Sequence, residues 1–170
     1  MRARLLLTAV LLALTLPGYG QTSASPKTKT AKSSSAGNTE APSKELMDAI
    51  WAGWSSGNPA NVAKYYAKGA HVFFDITPLK YTSWAEYEKG VAQVLGGFES
   101  LKGTVNNDAQ IHRHGNLVWG TATVHHIDVM KNGSKSEGEF RWTVIWEKSG
   151  PEWLIVHEHV SAPLGGAANP

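Results

Sequence analysis

The sequence predicts an α+β domain, helices first and a meander of strands after, and three features carry that prediction. Apolar residues recur at helical spacing in the stretches that precede residue 96. From Leu101 the apolar period changes to two, over segments near 101–114, 117–130, 137–148 and 152–161. Short turn signals join those segments, at Gly115-Asn116, Asn132-Gly133 and Ser149-Gly150-Pro151, so consecutive strands should be antiparallel neighbours.

Ser43 can cap a first helix, in which Leu46, Ile50 and Trp54 recur every four positions beside Met47 and Trp51. Gly57 stops it. Asn58-Pro59 then supplies a cap and a first-turn proline for a second short helix through Val62, Tyr65 and Tyr66, ending at Gly69. Residues 70–75 read as a strand. Ser83 and Glu86 have the spacing of a capping box for a third helix over 84–95, closed by Gly96-Gly97.

The ends of the chain read differently. Arg2 and Arg4 precede a 12-residue apolar run, Leu5 to Leu16, broken only by threonines, and Gly18 and Gly20 place small residues before a cut at Gln21. Residues 1–20 are therefore expected to be a signal peptide, giving export to the periplasm or medium. The run is shorter than the roughly 20 residues a membrane span needs, so no stable membrane insertion is expected after processing. Residues 21–42 hold no Leu, Ile, Val or aromatic side chain and read as a disordered Ser/Thr/Lys linker. The folded domain is expected over 43–163, with a flexible tail at 164–170.

Composition excludes several functions. There is no cysteine, which rules out disulfides, thiolate metal sites and cysteine nucleophiles. The formal charge is +2, but the excess lies in the terminal segments: residues 43–163 carry 11 basic and 13 acidic side chains. A groove that tracks nucleic acid phosphates is not expected.

The closing run Trp146-Glu-Lys-Ser-Gly-Pro-Glu-Trp153, followed by Val156-His157-Glu158-His159-Val160-Ser161-Ala162-Pro163, resembles the last two strands of the SnoaL-like and DUF4440 branch of the nuclear transport factor 2-like superfamily. It is also similar to the association domain of calcium/calmodulin-dependent protein kinase II. Tyr66-Ala67 and Ala70-His71-Val72-Phe73 extend the resemblance over about 43–163. It implies a cone, in which three helices pack in a strongly bent, mainly antiparallel sheet with a pocket in its mouth, commonly as a dimer. The superfamily includes ketosteroid isomerase, polyketide cyclases and dehydratases, and also members with no known catalysis. Aligned with ketosteroid isomerase, Phe74 stands at the general-base aspartate, Ala49 at the oxyanion tyrosine and Trp142 near the protonated aspartate. All three catalytic types are missing, and Asp75 lies one position from the base, where a one-residue slip changes face. The kinase domain's pocket arginines fall on Val124, Val144 and Val160, so the resemblance implies no anionic-ligand site.

A three-residue loop at 149–151 would pair Lys148 with Glu152, Trp142 with Glu158 and Val144 with Val156. The inner face then carries Val124, Trp142, Val144, Trp146, Val156 and Val160, with His126 and Glu158 as its few polar members. Trp51, Trp54, Tyr65 and Phe74 could close it from the helices. A small apolar or aromatic molecule suits such a cavity, and no cofactor is implied. Glu158 and Asp75 are the candidate bases, since burial beside tryptophan raises a carboxyl toward neutrality, and His126 is a candidate donor to an oxyanion. Arg141 with His159, and Thr143 with His157, pair on the opposite face, the expected homodimer interface. His112, His114, His157 and His159 are not expected to share a metal, because their strands lie three spacings apart, roughly 14 Å. Two readings stay open: a binding cone with acid–base catalysis of isomerase, cyclase or dehydratase type, or a non-catalytic module that dimerises or docks a partner.

Overall fold

The structure is a computed structural model and describes residues 38–164. The expected signal segment, most of the expected linker and residues 165–170 lie outside the described residues. Two α-helices, α1 (Lys44–Ser55) and α2 (Trp84–Leu95), pack against a curled sheet of six strands: β1 (Phe73–Phe74), β2 (Phe98–Val105), β3 (Gln110–His114), β4 (Leu117–Met130), β5 (Lys135–Ser149) and β6 (Glu152–Ser161). The order across the sheet is β1-β6-β5-β4-β2, with β3 also on β4. All pairs are antiparallel except β1 with β6.

Both helices begin where their capping residues dictate. Ser43 Oγ accepts from Leu46 N at 3.2 Å, and the buried stripe Leu46, Met47, Ile50, Trp51 and Trp54 turns toward the sheet. Ser83 Oγ accepts from Glu86 N at 3.3 Å, while Glu86 returns its carboxylate to Thr82 N at 2.8 Å, one residue earlier than a standard capping box. Trp84, Tyr87, Val91 and Leu95 form the buried face of α2.

The expected second helix is instead two 3₁₀ turns, Pro59–Asn61 and Ala63–Tyr65, so there are two α-helices where three were expected. The physical reason lies at its end. Tyr66 is extended and bridges Ile155 of β6, and Ala67 N donates to Ile155 O at 3.0 Å, which leaves too little chain for an α-helix. The strand expected over 70–75 shortens to two residues, because Phe73 also exchanges both backbone hydrogen bonds with Tyr81.

The meander order is as expected, with two changes of register. The segment read as one strand over 101–114 is split at residues 106–109, and β2 and β3 lie along the same edge of β4. Asp108 takes over the ladder there, accepting from Thr123 N and Thr123 Oγ1 at 3.0 and 2.8 Å. His125 consequently faces Thr104 rather than Asn106. The β5–β6 turn is the two-residue Gly150-Pro151, pairing Ser149 with Glu152, and a bulge then places Ile145 opposite His157 and Trp146 opposite Ile155. Val156 is the extra residue and leaves the inner face, which Trp153 and Ile155 join instead. Beyond the bulge, Trp142 pairs with Val160, Val144 with Glu158, Thr143 with His159 and Arg141 with Ser161. The partners move by two residues, so the faces are those expected.

The core lies between α1 and the concave face of the sheet, where Val118, Val124, Val144, Trp146 and Ile155 are fully buried. At Gly103 the indole of Trp51 occupies the space a Cβ would need, and Gly103 N donates to Ser55 Oγ at 2.9 Å. That glycine lets α1 lie directly on β2. Along the outer edge of β6 three separate pieces of chain pair in turn: Asn38 with Trp153, Tyr66 and Ala67 with Ile155, and β1 with Glu158 and His159.

Candidate functional site

The helices and the sheet enclose between them a cavity of about 120 Å³. Trp51 and Trp54 of α1 border it, as do Tyr87, Val91 and Leu95 of α2, Phe98 and Leu101 of β2, and Phe140 of β5. Its acidic members are Asp75, Asp128 and Glu158. The wall is otherwise almost wholly apolar, the character of a site for a small organic molecule. A single ring fills such a volume.

Glu158 is the most completely enclosed charged side chain of the described residues, 1% exposed. Burial pushes its carboxyl up to about 7, against three hydrogen-bond donors that favour the charged form and with the Asp75 charge acting in the same direction as burial. Tyr66 Oη lies 2.9 and 3.0 Å from the two carboxylate oxygens, Tyr87 Oη donates to Oε1, and Trp142 Nε1 donates to Oε2 at 3.0 Å. Trp54 Nε1 in turn donates to Tyr66 Oη at 3.1 Å. Burial, and then the Glu158 charge, hold both tyrosines well above the ordinary phenol range, so they remain donors. A carboxylate has about four lone-pair sites, so three donors leave it capacity for a bound molecule.

The fold delivers the three donors from three separate pieces of chain. Tyr66 is fixed by its bridge to β6 and stacks on Trp84, with ring centroids 4.5 Å apart. Tyr87 projects one turn into α2 and stacks on Phe73 at 5.2 Å. Trp142 lies two residues along β5 from Val144, the residue opposite Glu158, and reaches Glu158 diagonally on the same face.

Asp75 reaches the same cavity through strand alternation. Phe73 is buried, Phe74 turns outward onto His157 and His159 at 5.6 Å each, and Asp75 turns inward again. The position matched to the isomerase base by sequence is thus on the wrong face, and its neighbour is on the right one. Burial raises the Asp75 carboxyl, opposed by the hydrogen bond from Ile76 N at 2.7 Å.

Among the residues expected to bind ligand, Trp51, Trp54 and Val160 border the cavity. Val124, Val144 and Trp146 are interior packing, Tyr65 is buried beneath Lys64, and Phe74 lies outside. Trp142 serves Glu158 rather than the cavity wall. His126 does not border the cavity; its Nδ1 bonds Asp128 Oδ2 at 2.7 Å, and Asp128 does border it. Arg141, Thr143, His157 and His159 lie on the outer face, where His157 Nδ1 bonds Val72 O at 2.8 Å. Sequence reasoning did not single out Tyr66, Tyr87 or Asp128 for function. The available signal was a glutamate on an apolar face, which needs donors from the elements packed over it.

Among the described residues no group of three or more His, Asp or Glu is placed to hold a metal ion, and no helix is long and apolar enough to cross a membrane.

Two helices in a curled sheet, with an acid-bearing cavity between them, define a nuclear transport factor 2-like cone. The chain belongs to the SnoaL-like domain family, whose match spans residues 44–165. Solved structures agree. A nuclear transport factor 2-like superfamily protein from Salmonella enterica serovar Typhimurium superposes with a TM-score of 0.65 at 19% identity, covering 75% of this chain and 94% of that one. A Xanthomonas campestris structure, named as a calcium/calmodulin-dependent protein kinase II association domain, gives 0.62 at 25% identity, covering 76% and 93%. One from Novosphingobium aromaticivorans, named as a scytalone dehydratase, gives 0.63 at 10% identity, covering 71% and 81%. No curated protein matches the chain.

Proposed function

We propose that this domain binds a small, mostly apolar molecule in its cone and uses Glu158 to move a proton on it. The observation that carries the reading is a fully enclosed glutamate, held near pH 7, in the wall of an apolar cavity. A group half-protonated at neutral pH both takes and returns a proton efficiently. Glu158 removes a proton from the bound molecule and gives it back to another atom, or to a departing hydroxyl, which are the elementary steps of isomerisation and dehydration. Tyr66, Tyr87 and Trp142 hold the carboxylate in place, and Asp75 supplies a second, more exposed carboxyl at the mouth. Export from the cytoplasm is part of the same proposal, and the leader-like pattern of residues 1–20 is its support.

A nitrobenzisoxazole tests the chemistry without the natural substrate, because its ring opens when one C–H proton is removed. Turnover should rise with pH, with a midpoint near 7, and disappear in Glu158→Gln. An unchanged rate in that variant, or a midpoint near the ordinary glutamate value, overturns the assignment.

The outer sheet face favours a second reading, homodimer formation. Trp119 is 40% exposed there and stacks on His112 at 5.2 Å, close to the exposed Leu117. Sedimentation of wild type and of Arg141→Glu with Trp119→Ser decides it: a dimer that becomes monomeric supports the reading, and a wild-type monomer ends it.

A further inference from the structure

The cavity has a second polar pole that the proton transfer does not use. Asp128 is 5% exposed, borders the cavity, and its Oδ1 has no hydrogen-bond partner among the described residues. Its Oδ2 is taken by His126 Nδ1 at 2.7 Å. His126 itself is held by packing: its ring lies flat on Phe140, centroids 3.9 Å apart and planes within 4°, and its Nε2 sits 3.1 Å from where a Cβ on Gly138, its partner across the ladder, would stand. The imidazole therefore fixes the plane of the carboxylate and satisfies one oxygen only. A buried acceptor without a donor is costly, and native interiors rarely retain one without a use.

The rest of the surroundings restrict what that use is. Phe98, Leu101, Leu95 and Phe140 border the same cavity and offer no donor. Trp51, which also borders it and stacks on Phe140 at 6.3 Å, has a buried indole N–H without an acceptor. An apolar ring carrying a hydroxyl matches this set, because a hydroxyl is both donor and acceptor.

We infer that Asp128, positioned by His126, is a specificity-determining acceptor that selects single-ring ligands bearing a hydroxyl over their apolar counterparts. The inference rests on the binding reading of the cavity given above, and assigns the polar end of the ligand to Asp128 rather than to Glu158. A ligand seated this way spans two acids, with its hydroxyl anchored at one and its reacting position offered to the other. A ligand without the hydroxyl leaves Asp128 Oδ1 unpaired and is rejected for that reason.

Phenol and toluene are near-isosteric probes, and their dissociation constants can be read by protein-observed NMR titration. Wild type should bind phenol about tenfold more tightly than toluene, the usual scale for a hydrogen bond to a charged group. In Asp128→Leu the preference should vanish, and in Glu158→Gln it should persist. Asp128→Ala replaces the leucine variant if that one fails to fold, and is held to the same expectation. A preference that survives loss of Asp128 overturns the inference. A preference lost in Glu158→Gln alone overturns it too, while leaving the cavity reading intact, because the hydroxyl would then be sensed by Glu158. If wild type binds neither probe, the binding reading falls and this inference falls with it.

Discussion

At Glu158 burial and hydrogen bonding act against each other, and burial wins. The folded protein holds this proton more tightly than the unfolded chain does, since the carboxyl rises from an ordinary 4.5 to about 7. Its contribution to stability is therefore fully present below about pH 4.5 and is lost as pH rises through 7, an effect of about 3 kcal/mol. Urea denaturation across that range should show the decline in wild type and a clearly smaller one in Glu158→Gln, where the raised Asp75 carboxyl remains. Tyr87→Phe removes one donor that favours the charged carboxylate. It should raise the Glu158 midpoint further, by about one pH unit, as followed by carboxyl-carbon NMR, and cost about 1–3 kcal/mol of stability. A midpoint that falls instead would mean that Tyr87 is not a donor to this group. The inward placement of Glu158 was readable from sequence, because it alternates in phase with the apolar residues of the inner face. Its donors were not. Tyr66 and Tyr87 come from a 3₁₀ turn and a helix, and only the tertiary arrangement brings them to one carboxylate.

Elements were legible wherever local chemistry decides them. The caps at Ser43 and Ser83 and the glycine-containing turns place α1, α2 and the four hairpin-linked strands β3 to β6 close to their expected positions. What the sequence did not disclose is where a strand gains a residue. The bulge at Val156 and the Asp108 interruption are each stabilised by partners across the sheet, which no single segment contains. Asp75 shows what a single residue decides, since one step past β1 separates the outward Phe74 from a side chain that borders the cavity. Close approach between elements can also be tested directly. Gly103→Ala forces the new methyl against the Trp51 indole, and α1 must move off β2. A loss of about 1–3 kcal/mol is expected in chemical denaturation, the usual penalty for overpacking.

For the whole molecule, the fold was legible because the helix-then-meander order and the closing Trp146–Pro163 run agree on one architecture. The N-terminal boundary was less so. Asn38 is buried, its O accepts from Trp153 N at 2.7 Å, and its Nδ2 reaches Trp153 O at 3.4 Å, although its surroundings in sequence are those of a spacer. A chain starting at Ser43 should accordingly be about 1–2 kcal/mol less stable than one starting at Gly37, measured by urea unfolding at fixed pH. Equal midpoints would show that the pairing contributes nothing. The same edge of β6 has a temporal meaning. Asn38, Tyr66 and Phe73 all dock on β6, which is made after every other described strand, and that strand also brings Glu158. Until residue 161 is available, α1 and α2 have no finished surface to settle on, and β5 has an open flank. Folding of the domain must therefore wait for β6, because the contacts that complete it are distant along the chain.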